Sequence, residues 1–290
     1  MNGRLVRRLA SPALAALAAL ALTGTAAPAR GQILDRILEK AEKVKETAEK
    51  VGTAVVPIST EQEIEIGRGI AATIAGHYGL VRDSLLTEYV TLVGLTVAVI
   101  DPRPDIAYRF AVLDSDEVNA FAAPGGYVFV TRGAIAIMED ESMLAGVLAH
   151  ELSHVNRRDI IEEIQSKART ALGIEEAAER VDITGEEYLQ KAIETGASAL
   201  FMGLSREDEL EADAYSVRTT AAAGYDATAI RRFVSRLDRA AEEEVSLLKK
   251  THPDVDDRLA ALDRALAAIP AAERGDVTAA ARFQDRGMHR

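Results

Sequence analysis

The pentapeptide His150-Glu151-Leu152-Ser153-His154 sets two imidazoles four residues apart, with a carboxylate beside the first. On a helix, positions i and i+4 stand one turn apart on the same face, so both rings can point at one metal ion. Glu151 cannot share their coordination position, yet it can reach a zinc-bound water. Zinc brings the pKa of such a water near 7. A carboxylate beside it can take the proton and later return it to a leaving amine. The neighbours Met143, Leu144, Val147, Leu148, Leu152 and Val155 are apolar, so this helix must be largely buried. Two buried histidines need partners, and a metal ion is the most economical one.

A catalytic zinc normally takes three protein ligands and keeps one position open. The chain has no cysteine, which leaves His77, His252, His289 and the carboxylates as sources of the third. His289 lies in the tail. His77 stands beside Gly76 and Gly79, where a loop histidine without a metal role is the commoner case. The best candidate lies within Ser205-Arg206-Glu207-Asp208-Glu209-Leu210-Glu211-Ala212-Asp213.

The elements that must position these residues follow from periodicity and punctuation. Residues 140–157 form the helix that carries the two histidines. Helical spacing continues through 160–178, 186–204 and 206–223, where Gly224 stops it, and 228–248 reads as a further helix. Upstream, 60–100 is mostly helical with a break near 76–79, opened by Ser59 and Gln62 in the manner of a capping box. Pro102 and Pro104 end that stretch. Residues 106–113 then alternate as a strand, and Gly125-Gly126 turns into a second strand, 127–131. The fold class is therefore α+β, mainly helical, with a small β-sheet beside the active-site helix.

The flanks read differently. Arg4, Arg7 and Arg8 precede an apolar run, 9–22, and Ala27-Pro28-Ala29 supplies a small-residue cleavage site, so 1–29 is expected to be a signal peptide. The apolar run is shorter than the roughly 20 residues that span a bilayer, and no transmembrane segment is expected in the mature chain. Residues 30–58 hold a Lys- and Glu-rich linker helix over 33–51, with Ile33, Ile37, Ala41, Val44 and Ala48 at helical spacing. The main domain covers 59–268. The tail, 269–290, is rich in Ala, Arg and Asp without clear periodicity, a composition that suggests disorder. The formal charge of −12 becomes −15 once Arg4, Arg7 and Arg8 are removed. Such a chain is a poor match for nucleic acid or anionic membrane surfaces.

With these elements in place, His150–His154 followed by Glu209-Leu210-Glu211-Ala212-Asp213 resembles the M48 family of zinc metallopeptidases, in particular its soluble, exported branch. Further blocks resemble it in the family's order: Ser59-Thr60-Glu61-Gln62-Glu63 with Gly67, Asn119-Ala120-Phe121-Ala122-Ala123-Pro124-Gly125-Gly126, and Thr251-His252-Pro253 with Arg258. The resemblance implies a gluzincin-type fold, one Zn(2+) per chain, and Glu209 as third ligand beside His150 and His154. Asp213, one turn beyond Glu209, is then the acceptor for the ring N–H of a ligand histidine. Glu207 and Glu211 fall on another side of that helix as solvated groups. Many relatives carry a further histidine shortly after the second ligand, whereas this chain has Asn156-Arg157-Arg158-Asp159.

His252 has three readings: stabiliser of the oxyanion of a tetrahedral intermediate, fourth zinc ligand that holds the enzyme latent, or structural residue. The resemblance to exported relatives favours the first two. The strand 127–131 is expected to accept an extended substrate backbone as an added strand. Together these imply an exported, periplasmic zinc endopeptidase acting on unfolded or extended cell-envelope polypeptides, with Glu151 catalytic. The alternative is a non-proteolytic chaperone or assembly factor with structural or regulatory zinc. Glu151 argues against it, because a binding protein gains nothing from a buried carboxylate beside the metal.

Overall fold

A computed structural model describes residues 57–172, 186–237 and 242–285. The expected signal peptide, the 33–51 helix and His289 lie outside the described residues. The fold is α+β and mainly helical, with one three-stranded sheet.

Helix α1 (Thr60–Tyr78) starts at the capping box read from Ser59 and Gln62. The Ser59 hydroxyl accepts from the Gln62 N–H, and the Gln62 side chain accepts from the Ser59 N–H. Its Ile66, Ile70 and Ile74 recur every fourth residue and are fully buried. The helical stretch 60–100 is two helices, because Gly79 takes a φ of 77° and Asp83 caps a new helix, α2 (Ser84–Ala98). Its buried face, Tyr89, Val90, Val93 and Val97, meets the first strand and the helix that carries His150 and His154.

Strand β1 (Arg109–Leu113) is shorter than the 106–113 alternation. It is followed by β2 (Ala120–Ala123) and β3 (Tyr127–Thr131). The order is β1-β3-β2, with β3 parallel to β1 and antiparallel to β2. This corrects the expectation for substrate pairing. Strand β3 is bonded on both sides, so the edge near the candidate site belongs to β2, a strand that Ala-Phe-Ala-Ala does not announce by alternation or β-propensity. Gly125 and Gly126, at φ 72° and 93°, close the β2–β3 hairpin. A Cβ on Gly67 would fall 1.7 Å from the Pro124 carbonyl oxygen, so glycine there lets α1 lie directly on that turn. Buried Glu63 ties the corner together by pairing with Arg103 and Arg158 and accepting the Gly125 N–H.

After a short helix, α3 (Arg132–Ala136), the chain enters α4 (Glu141–Arg157), in which every residue from Glu141 to Val155 is buried. A helix buried all round sits inside the domain. It is surrounded by α2, β2, α7 (Arg206–Ala222) and α8 (Ala229–Leu237). Helices α5 (Asp159–Leu172) and α6 (Glu186–Met202) pack with α1 over the other side of the sheet. The helix expected over 228–248 is α8 followed by α9 (Glu242–Thr251), and α10 (Val255–Ala267) lies along α7 and α8.

The stretch 269–285, whose composition suggested disorder, is built into the domain. The Glu141 N–H donates to the Thr278 carbonyl, Val277 bridges to Tyr225, and α11 (Ala280–Asp285) places Phe283 fully inside the core. Arg282 pairs with buried Glu141, which also accepts from Tyr89 and Tyr225. These long-range contacts leave no periodic signal in the sequence.

Candidate metal centre

Helix α4 sets His150 and His154 one turn apart, both buried, with their Nε2 atoms 3.3 Å from each other. Helix α7 runs beside it, capped by Ser205, whose hydroxyl accepts from the Asp208 N–H. Its buried face is Glu209, Ala212, Asp213 and Ser216, at the i, i+3, i+4, i+7 spacing of one helix side. Glu207 and Glu211 are exposed on the other side, and Glu211 pairs with Arg157. Glu209 thereby faces the histidines. Its Oε2 lies 3.4 Å from His150 Nε2 and its Oε1 3.8 Å from His154 Nε2.

Both remaining ring nitrogens are committed. His150 Nδ1 is 3.0 Å from Asp213 Oδ1, and His154 Nδ1 is 2.8 Å from Asp159 Oδ2. A ring nitrogen held by a carboxylate carries the proton, so each Nε2 presents a lone pair inward. Asp213 is braced in turn by Arg258, buried in the same cluster, through Nε at 2.9 Å and a second nitrogen at 2.6 Å. Burial opposes ionisation of Asp213, yet Arg258 and His150 hold it well below the usual carboxylate range. The Asp159 contact depends on a backbone detail. Arg158 ends α4 in the left-handed region, at φ 63°, so α5 starts with Asp159 turned back onto His154.

His150, His154 and Glu209 offer ligand atoms within 4.8 Å of one another, a group that could hold a metal ion. Zinc–nitrogen and zinc–oxygen bonds of about 2.0–2.1 Å in a tetrahedron set donor atoms about 3.3 Å apart. The observed 3.3 Å and 3.4 Å separations fit that spacing. Glu209 Oε2 is buried without a hydrogen-bond partner. Converging ring nitrogens and a buried carboxylate oxygen make a setting that a cation between them would satisfy. The donor set, two imidazoles and a carboxylate, suits zinc.

Two residues border this group. Glu151 is buried, which raises its carboxyl above the usual range. His252 follows α9 and points Nε2 at Glu209 Oε2, 3.2 Å away. Its Nδ1 is 2.9 Å from the Thr251 hydroxyl, which also lies 3.1 Å from the Leu247 carbonyl. The Thr251 hydroxyl thereby holds the His252 ring with Nε2 turned towards Glu209. Burial pushes His252 down to about 4, which keeps that ring neutral. The cavity here is about 30 Å³, lined by β2, Glu151, His154, Glu209, His252 and the end of α6. It admits water but not a peptide.

The protein-family comparison decides the ancestry. Residues 85–266 match the model described as Peptidase family M48. The chain belongs to peptidase family M48. Among relatives, the beta-barrel assembly-enhancing protease of Escherichia coli (strain K12) is 27% identical over 250 residues, covering 83% of this chain and 50% of that protein. The mitochondrial metalloendopeptidase OMA1 of Schizosaccharomyces pombe is 29% identical over 175 residues, 60% of this chain and 51% of its own length. A protease HtpX homolog of Acidiphilium cryptum is 44% identical over 57 residues, 18% of this chain and 20% of that protein. The chain thus spans about half the length of the first two. M48 peptidases are zinc-dependent hydrolases, in keeping with the donor set.

Of the histidines weighed for the third ligand position, His77 lies away from the cluster, in the last turn of α1 against Tyr78 and Phe201. Two contributors escaped the sequence reading. Asp159 follows His154 by five residues, but only the helix break at Arg158 turns it back. Arg258 was read as part of the His252 block without a task, and nothing local tells that its guanidinium reaches Asp213. Among the described residues no helix is long and apolar enough to cross a membrane.

Proposed function

We propose that this M48 member is a zinc-dependent endopeptidase that cleaves extended or unfolded segments of cell-envelope proteins, and that it works in the periplasm. The observation that carries the proposal is the convergence of His150 Nε2, His154 Nε2 and Glu209 in a buried pocket that also holds Glu151 and abuts the free edge of β2. The names of the relatives, proteases of bacteria and a mitochondrial metalloendopeptidase, support peptide-bond hydrolysis.

In this reading His150, His154 and Glu209 hold one zinc ion. When bound, zinc supplies a Lewis acid that acidifies water and polarises a carbonyl. Glu151 takes the proton of the attacking water and delivers it to the leaving amine. Its raised pKa suits a group that must both accept and release a proton. Asp213 and Asp159 hold the two imidazoles in one tautomer and orientation. The substrate backbone pairs with the outer edge of β2, which fixes the scissile bond over Glu151 without demanding particular side chains. The 30 Å³ pocket must open for this, and His252 is the side chain that lies across it. That closeness also favours, as a second reading, a binding protein whose zinc is regulatory.

Turnover of unfolded casein by zinc-loaded wild type and by Glu151→Gln separates the two. The endopeptidase reading expects hydrolysis by wild type and a loss of at least about a hundredfold in Glu151→Gln, the scale of removed acid–base catalysis, with zinc content unchanged. Equal turnover in both proteins would remove Glu151 from the mechanism. No turnover by the zinc-loaded wild type would favour the binding protein.

A further inference from the structure

Glu63 on α1 is a fully buried carboxylate that the proposed chemistry leaves idle. A charge taken out of water must be met by opposite charge and hydrogen bonds, and three partners meet this one. Arg103 grips both oxygens, Nη1 at 2.7 Å from Oε1 and Nη2 at 3.2 Å from Oε2. The Gly125 N–H donates to Oε1 at 3.2 Å, and Arg158 Nε lies 2.7 Å from Oε2. Arg103 and the β2–β3 turn thus fix the carboxylate, and the fixed carboxylate can in turn anchor Arg158.

Both arginines act on the end of the helix that carries the histidines. Arg103 Nη1 also donates to the Val155 carbonyl at 3.1 Å, in the last turn of α4, where helix carbonyls lack partners. Arg158 is the residue at which α4 stops. Its N–H donates back to the His154 and Val155 carbonyls, while its backbone stands at φ 63° and ψ 31°. Among the described residues Ala279 is the one other non-glycine residue at positive φ. A residue with a side chain keeps this conformation only where its surroundings hold it there. The guanidinium supplies that hold, because Nε pairs with Glu63 and Nη2 donates to the Ile58 carbonyl at 2.6 Å.

The break at Arg158 decides where Asp159 goes. Had α4 continued, Asp159 would stand about 140° round the helix from His154 and could not face its ring. With the break it is turned back and accepts from His154 Nδ1 at 2.8 Å. His150 is held by a separate set of residues, Asp213 on α7 and Arg258 on α10. We propose that Glu63 is a positioning residue for His154. By anchoring Arg158 in the left-handed conformation it sets Asp159, and through Asp159 it sets the tautomer and orientation of the ring. The effect on metal affinity rests on the zinc reading above, whereas the effect on the ring is present in metal-free protein. The Ser59–Glu63 block, far from the histidines in sequence, thereby gains a task in the candidate site.

The two histidines provide an internal control. Isotope-edited NMR of the metal-free full chain follows solvent exchange of the two Nδ1 protons. Glu63→Gln keeps an acceptor for the Gly125 N–H but removes the charge that holds Arg158. His154 Nδ1–H should then exchange at least about tenfold faster, while His150 Nδ1–H stays within about twofold of wild type. Zinc affinity, by competition with a chromophoric chelator, should fall about tenfold, the lower end of the range for losing an orienting carboxylate. Adding Arg158→Gly to Glu63→Gln should bring both readouts back to within about threefold of wild type, because glycine needs no anchor in the left-handed region. An ion pair with only a structural task predicts no such rescue, since the double variant has lost both of its members. Arg158→Ala and Arg158→Gly leave Glu63 paired with Arg103 and repeat the comparison should Glu63→Gln fail to fold. The alanine variant should lose the protection of His154 and the glycine variant keep it. Unchanged His154 exchange in folded Glu63→Gln, an equal change at His150, or no recovery with Arg158→Gly would overturn the proposal. Absence of zinc binding by wild type would instead remove the metal reading, with the exchange of His154 still deciding the positioning.

Discussion

Asp159 gives the sharpest test of how the site is held. It is 4% exposed, accepts from His154 Nδ1 at 2.8 Å, and pairs with Arg157 Nε at 3.2 Å. If its task is to fix the tautomer and raise the basicity of His154, then Asp159→Ala should weaken zinc binding by roughly 10–100-fold, about 1.4–2.7 kcal/mol. Asp159→Asn should fall between, because an amide oxygen still accepts the ring N–H but lacks the charge. The fold should suffer less. Asp159 opens α5, where a carboxylate contributes about 0.3–1 kcal/mol to the helix dipole, and its partner Arg157 is a third exposed, so that pair adds at most about 1 kcal/mol. Zinc titration of metal-free protein against a chromophoric chelator measures the first quantity, and thermal melting of the metal-free protein the second. Arg157→Ala is the control, touching Asp159 but not His154. A zinc Kd in Asp159→Ala within about twofold of wild type, below the range expected for an orienting carboxylate, would refute the reasoning. So would an equal loss in Arg157→Ala.

His252→Ala should change casein turnover while bound zinc stays near stoichiometric by metal analysis, since in the proposed site His150, His154 and Glu209 supply three ligands without it. Unchanged turnover would return His252 to a structural task. Phe283→Ala should cost about 3–5 kcal/mol of stability, the usual range for emptying a core phenylalanine site, read as a lower Tm by calorimetry. It should also loosen the Thr278–Glu141 contact at the start of α4. A Tm unchanged by this substitution would return 269–285 to the status of a loose tail.

How much of this was legible in the residues depends on whether the signal was local. Helix periodicity brought His150 and His154 to one face, and the same geometry grouped Glu209 with Asp213 while turning Glu207 and Glu211 outward. The relation between α4 and α7 is tertiary, and only the family resemblance carried it. Strand β2 was missed because four small or aromatic residues show no alternation. Its existence follows from pairing with β3 across the Gly125-Gly126 turn. Misreading β3 as the accepting strand came from the same gap, because edge status depends on how many strands the sheet has. Asp159 was hidden by Arg158, a non-glycine residue in the left-handed region, which the run Asn-Arg-Arg-Asp does not signal. The 269–285 stretch was hidden because one phenylalanine and one arginine fix it.

The geometry also couples the metal to the fold, and that coupling can be measured. Without a cation, two imidazole lone pairs 3.3 Å apart and a carboxylate oxygen with no hydrogen bond share a pocket whose residues are 3–6% exposed. A proton can relieve part of this. Burial disfavours a charged His150, but Asp213 and Glu209 outweigh it and push the ring up to about 10. One proton bridges only one pair of the converging acceptors, whereas zinc engages all of them. Metal should therefore stabilise the folded state well beyond the proton. At free zinc a thousandfold above Kd the gain is about 4 kcal/mol, worth roughly 8–16 °C in Tm for a domain of this size. Calorimetry with zinc and after chelation should show that shift in wild type and in Glu151→Gln, because Glu151 donates no ligand. Glu209→Gln should lose most of it. A Tm indifferent to chelation in wild type would mean that the three acceptors are satisfied some other way, and would take the zinc site down with it.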